Sequence, residues 1–114
     1  MPNQSAQLDH VFQSLADPTR RAVLERLSSG SAAVSELARP FNMALPSFCQ
    51  HLDVLEGCGL VTSRKSGRIR TYRIATRPLK LAQLWLEKQR THWEAGLDRL
   101  DTYLAVLKEN RTDG

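Results

Sequence analysis

The sequence has little of what would send a chain to a membrane, a secretory route or an oxidising compartment. No run approaches the roughly 18 consecutive apolar residues that span a bilayer. The opening MPNQSAQLDH offers neither a basic stretch nor an apolar one behind it. The expectation is a soluble, cytoplasmic chain with no membrane partner. Only two cysteines occur, Cys49 and Cys58, too few for a disulfide framework and without the CxxC spacing of a zinc or redox motif. Glycine-rich phosphate loops, internal repeats and low-complexity tracts are missing as well.

Acid is missing from one place. Between Glu56 and Glu87 there is no Asp or Glu, while Arg64, Lys65, Arg68, Arg70, Arg73, Arg77 and Lys80 all lie there. Of the sixteen lysines and arginines, the nine elsewhere face all twelve acids, so the net charge of +4 arises from this one segment. Such a concentration is what a phosphate-binding surface needs. A solvated hairpin that happens to be basic is the other reading of the same run.

What is present fits one domain over residues 1–114, with 41% apolar residues to fill a core. Five helices and one hairpin are expected. Leu8, Val11, Phe12 and Leu15 stand at i, i+3, i+4 and i+7, one apolar stripe on a first helix. Asp17 caps a second helix, with Pro18 at its first position, Val23, Leu24 and Leu27 facing inward, and Gly30 as its stop. Ser35 as cap and Glu36 in the first turn open a short third helix that buries Leu37, Ala38 and Phe41. A fourth helix must hold Pro46 in its first turn, because deeper in a helix the ring removes a hydrogen bond and clashes. It therefore begins near residues 43–45 and ends at Gly57 and Gly59. Phe48, Leu52 and Leu55 form its core stripe, leaving Ser47, Gln50, His51 and Val54 on another face.

LVTSRK-SG-RIRTYRI reads as two strands about a Ser66-Gly67 turn. From Pro78 to about Lys108, Leu86, Trp93, Leu97, Leu100, Leu104 and Leu107 recur at threes, fours and one seven. That helix would reach roughly 45 Å, longer than a domain of this size needs. Part of its stripe is expected to pair with a second copy, giving a homodimer, although Gly96 is a place where the helix can bend or break.

The order of short helix, turn, second helix and basic hairpin is that of a mainly α winged helix-turn-helix with a small β-hairpin, dimerising through its terminal helices. A major groove about 12 Å wide admits one helix, while a neighbouring hairpin lays cations on phosphates or in the minor groove. The expected partner is therefore double-stranded DNA. The expected contacts are Pro46, Ser47, Gln50 and His51 on the fourth helix, with Gln50 pairing the N6 and N7 of adenine, and Arg64, Lys65, Arg68 and Arg70 on the hairpin.

The stretches LADPTRRAVLERLSSG, VSELARPFNMALPSFCQHLDVLEGCGLV and SRKSGRIRTYRI resemble the ArsR/SmtB family of bacterial winged-helix repressors. The most specific features are the DPTR opening of the second helix and S-x-x-QHL-x-VLE-x-x-GLV running into an RK-x-GR wing. The resemblance implies a dimeric repressor whose first and last helices form the dimer interface. It also implies a fourth helix that enters the groove of an imperfect palindrome. Metal sensors of that family carry a CxC-type pair near the third helix or a DxH and HxxE set in the last. Neither stands here, so no metal or cofactor is implied and no effector is assigned. Asp53 stands where the family often has a basic residue, and an acid there repels phosphate.

Other readings stay open on residues alone. His51 is a groove contact, a packing residue, or a partner of Cys49, from which it points about 200° away on a helix. Trp85, Trp93 and Tyr103 suit an interface or an effector pocket, and Arg20 and Arg21 a phosphate or a solvated face. A protein-protein module and a small enzyme are the competing functions, the latter without a convergent catalytic set.

Overall fold

The computed structural model describes residues 4–112. The chain divides into two compact units, Met1–Ala82 and Gln83–Gly114. The order of elements is α1 (Gln4–Leu15), α2 (Pro18–Leu27), β1 (Ala32–Ala33), α3 (Val34–Ala38), α4 (Leu45–Gly57), β2 (Val61–Ser66), β3 (Ile69–Ile74) and α5 (Arg77–Thr112).

In the first unit the apolar stripes converge on one core. Val11, Val23, Leu27, Leu37, Phe48, Leu52, Leu55, Leu60 and Val61 are all at most 2% exposed, so every helix from α1 to α4 contributes to it. Leu8, Phe12 and Leu15 pack on this core from its edge. Phe41 does the same, its ring tilted 30° against Phe48 at 5.4 Å between centroids. Removing an aromatic this deeply packed costs on the order of 3–5 kcal/mol, which makes Phe48 the heaviest single contributor to the seating of α4.

The two ends of α4 are set by different devices. Pro46 sits within its first turn, where no donor is lost. At the other end the Leu60 amide donates to the Leu55 carbonyl at 3.0 Å and the Gly59 amide to that of Glu56 at 3.0 Å. These are the two bonds of a Schellman motif, which needs a left-handed residue, and Gly59 supplies it at φ 80°. A side chain at this position would also meet the Pro78 ring at 3.4 Å. The motif turns the chain directly into β2, fixing the wing relative to α4.

Three expectations need correction. The hairpin is part of a three-stranded antiparallel sheet of order β1-β3-β2, because Ala32 and Ala33 pair with Tyr72 and Thr71. Two alanines carry too little β signal to be read as a strand. The turn lies one residue later than expected, at Gly67-Arg68, since Ser66 pairs with Ile69. Gly67 alone is left-handed, at φ 62°, as a two-residue turn with its special conformation at the first position requires. Ser35 is not the cap of α3, which starts two residues earlier than expected, at Val34, with Ala33 in that role and no side-chain cap bond. Strand pairing of Ala33 fixes the start of that helix instead.

The second unit is one helix, the run of α5 from residue 83 onward. It passes Gly96 without a break, since glycine in a helix interior costs only about 1 kcal/mol. Leu86, Trp93, Leu97, Leu100, Leu104 and Leu107 are between 42% and 61% exposed. That seam has spacings of three, four and seven, the pattern that coiled coils bury between helices. Among the described residues no helix is long and apolar enough to cross a membrane.

Candidate nucleic-acid interface

The outer face of α4 is centred on Gln50. With 100° per residue, Pro46 and Asp53 flank it on one side and Val54 and Ser47 on the other, and all five are exposed. His51 lies at the edge of this face, where it turns toward α2, and is half-buried. Ser47 and Gln50 thus offer polar groups at the centre of a helix surface, and Asp53 adds a negative charge beside them.

Behind that face, the start of α2 is built around Asp17 and Arg20. Asp17 Oδ1 accepts from the Thr19 amide at 2.8 Å and the Arg20 amide at 3.1 Å. Partial burial works to raise its carboxyl, but the Arg20 amide, the charge of His51 and the Thr19 amide outweigh it and hold the group below its ordinary value. The Arg20 guanidinium reaches back to α1, its Nε donating to the Ser14 carbonyl at 2.8 Å and its Nη2 to that of Gln13 at 2.9 Å. Nη1 lies 3.1 Å from His51 Nδ1. Arg21 Nη1 donates to the Leu15 carbonyl at 2.8 Å. Both arginines therefore close the free carbonyls at the end of α1, where positive charge is favoured, rather than lying loose for phosphate. Sequence gave no signal for this, since the acceptors are backbone atoms of another helix.

Strand alternation sorts the wing cations onto different faces. Cross-strand partners share a face, so Lys65 and Arg70 lie with Ser63 and the buried Tyr72 on the face that α4 covers. Arg70 Nη1 donates to Ser63 Oγ at 2.8 Å, and that hydroxyl donates in turn to Glu56 at the end of α4. Burial, with Glu56 adding to it, keeps the Tyr72 phenol above its ordinary value and hence neutral. Arg64 and Arg73 fall on the opposite face, where Ser31, Thr62 and Thr71 join them around a groove of about 650 Å³. Arg68 is at the tip. The period of two would have placed Arg73 with Arg64, yet it was not among the contacts expected from sequence.

The remaining side chains of note are occupied or dispersed. Both cysteines are free thiols. Cys58 Sγ stands 3.1 Å from the buried Ser14 hydroxyl and donates to the Leu55 carbonyl. Among the described residues no group of three His, Cys, Asp or Glu side chains is arranged to hold a metal ion.

A short helix, a turn, a helix with a polar outer face and a cationic hairpin in a three-stranded sheet define a winged helix-turn-helix protein. A helix-turn-helix domain family matches residues 15–64. The crystal structure of an ArsR family transcriptional regulator superposes with a TM-score of 0.77 at 52% identity, covering 82% of this chain and 97% of that one. The HTH-type transcriptional regulator Rv2034 of Mycobacterium tuberculosis is 47% identical over 66 residues, 58% of this chain and 62% of that relative's length. The transcriptional repressor SdpR of Bacillus subtilis is 29% identical over 79 residues, 69% of this chain and 88% of the relative. The chain belongs to the ArsR family of transcriptional regulators. It is a regulator with a DNA-binding fold and not an enzyme, so the small-enzyme reading falls.

Proposed function

We propose that this chain represses transcription as a cytoplasmic homodimer on an imperfect palindromic operator, each copy setting α4 into a major groove with its wing beside it. The observation that carries the reading is the exposure, within one compact unit, of a polar helix face centred on Gln50 next to a hairpin rich in cations. Among the described residues no hydrogen bond or ion pair occupies the side chains of Arg64, Lys65 or Arg68, so their charge is available to phosphates. On this reading Gln50 reads a base edge, Pro46, Ser47 and His51 line the groove, and Arg64, Lys65, Arg68 and Arg70 hold the backbone. The repressor role is supported by the name of the Bacillus relative.

The apolar seam of α5 supports the dimer. A single helix cannot bury its own stripe, so residues 83–112 serve the winged helix as a dimerisation arm and the whole of residues 1–114 works as one domain. A dimer with two reading helices meets two half-sites about 34–36 Å apart on one side of the duplex. Footprinting the purified protein on the DNA upstream of its own gene tests this. Two protected half-sites about one helical turn apart are expected, and uniform protection lost evenly along the fragment as salt rises would refute it.

A further inference from the structure

His51 is bound at one ring nitrogen and open at the other. Nδ1 lies 3.1 Å from Arg20 Nη1, and a guanidinium can only donate. In the neutral ring Nδ1 is then the acceptor, and the proton sits on Nε2. No hydrogen bond engages Nε2 among the described residues, yet none of their buried side-chain nitrogens or oxygens lacks a partner. Nε2 of the half-buried ring is therefore not sealed from solvent. Asp17 Oδ1 is 3.8 Å from Nδ1 and would favour the other tautomer, but it already accepts two amide protons from Thr19 and Arg20 at shorter range. Arg20 in turn is held by the Ser14 and Gln13 carbonyls, so it cannot turn away from the ring.

We infer that Arg20 is a positioning residue that locks His51 as the Nε2–H tautomer, so that α4 presents a hydrogen-bond donor of fixed direction to an acceptor on duplex DNA. The acceptor is a phosphate oxygen or the O6 or N7 of a guanine, groups that take a donor and reject a lone pair. The inference rests on the DNA-binding reading above and deepens it by assigning the chemistry of one contact. A ring locked before binding loses no rotational or tautomeric freedom on contact, which is where preorganisation gains affinity.

Ring-nitrogen NMR of the full, ¹⁵N-labelled chain at about pH 8, where an ordinary imidazole is neutral, reads the tautomer without DNA. His51 is expected to show a protonated Nε2 and an unprotonated Nδ1, while the exposed His10 and His92 serve as internal references. A proton on Nδ1 overturns the inference. The second arm compares His51→Gln, whose amide donor falls near Nε2, with His51→Asn, whose amide falls near Nδ1. The two are titrated on a duplex selected by the protein from a random pool and on its scrambled counterpart. His51→Asn is expected to bind the selected duplex about tenfold more weakly than His51→Gln, one hydrogen bond's worth. Loss on both duplexes identifies a phosphate acceptor, and loss on the selected one alone a base edge. Equal binding by the two variants overturns the donor role. If the unmodified chain binds no duplex, the DNA-binding reading fails and the donor role with it, and the ring shifts, those of one tautomer in this chain and averaged between two in Arg20→Ala, still decide whether Arg20 sets the tautomer.

Discussion

Arg20 Nη1 stands 3.1 Å from His51 Nδ1 while the same guanidinium closes the Ser14 and Gln13 carbonyls, so one side chain ties the end of α1, the start of α2 and the flank of α4. Arg21, its neighbour, makes a single exposed bond to Leu15. The two substitutions should therefore differ. Arg20→Ala is expected to cost about 1–3 kcal/mol, by leaving helix-end carbonyls and an imidazole without their donor. Arg21→Ala should cost less than about 1 kcal/mol. Urea midpoints at neutral pH compare them, and equal losses would contradict the clamp.

Asp17 makes stability depend on acid. Its carboxyl is held below the ordinary 3.8 in the folded chain. Its contribution is thus complete above that value and is lost as pH falls through the lower, folded one. Asp17→Asn keeps a capping oxygen and should flatten this acid limb. Asp17→Ala should lower stability at neutral pH by about 1 kcal/mol. Thermal melts from neutral pH down to the carboxylate range check both.

Much of this was legible in the sequence because single-residue chemistry decided it. The Asp17-Pro18 start of α2, Pro46 in the first turn of α4 and the Phe48, Leu52, Leu55 stripe each follow from local geometry, and the structure shows all three. What sequence missed depends on partners far along the chain. Ala32 and Ala33 become a strand only because Tyr72 and Thr71 lie beside them. Arg20 and Arg21 are clamps only because α1 ends where it does. Ser47, Gln50 and Val54 are exposed on the outer face of α4 where their spacing puts them, whereas His51 is half-buried at its edge beside Arg20, and the separation of Lys65 and Arg70 from Arg64 and Arg73 was open to strand alternation about either turn.

Asp53 shares the outer face with Gln50 and opposes the phosphates that the reading brings close. Asp53→Asn should tighten binding to selected and scrambled duplexes alike, by a few-fold at low salt and less at high salt, as a screened repulsion requires. Titration by fluorescence anisotropy at two salt concentrations measures this. Weaker binding of the variant would mean that Asp53 accepts a hydrogen bond from a base instead.

The seam of α5 should hold the dimer. Leu97 and Leu104 are 59% and 51% exposed in the single chain and stand at the centre of the seam. Replacing both by Asp places two like charges against their copies in any paired helix and should give a folded monomer at micromolar concentration. Light scattering with circular dichroism distinguishes this from unfolding, and a dimer that survives both changes would move the interface elsewhere.

The central claim is that α4 reads sequence while the wing supplies affinity. It is tested most directly by titrating Gln50→Ala and Arg68→Ala against a selected duplex and its scrambled counterpart over a series of salt concentrations. Arg68→Ala should weaken both duplexes alike and lower the salt slope by about one unit, leaving the preference intact. Gln50→Ala should cost on the order of 1–3 kcal/mol on the selected duplex and little on the scrambled one. A Gln50→Ala protein that keeps its preference, beside an Arg68→Ala protein that has lost it, would contradict the account and make the wing the reader.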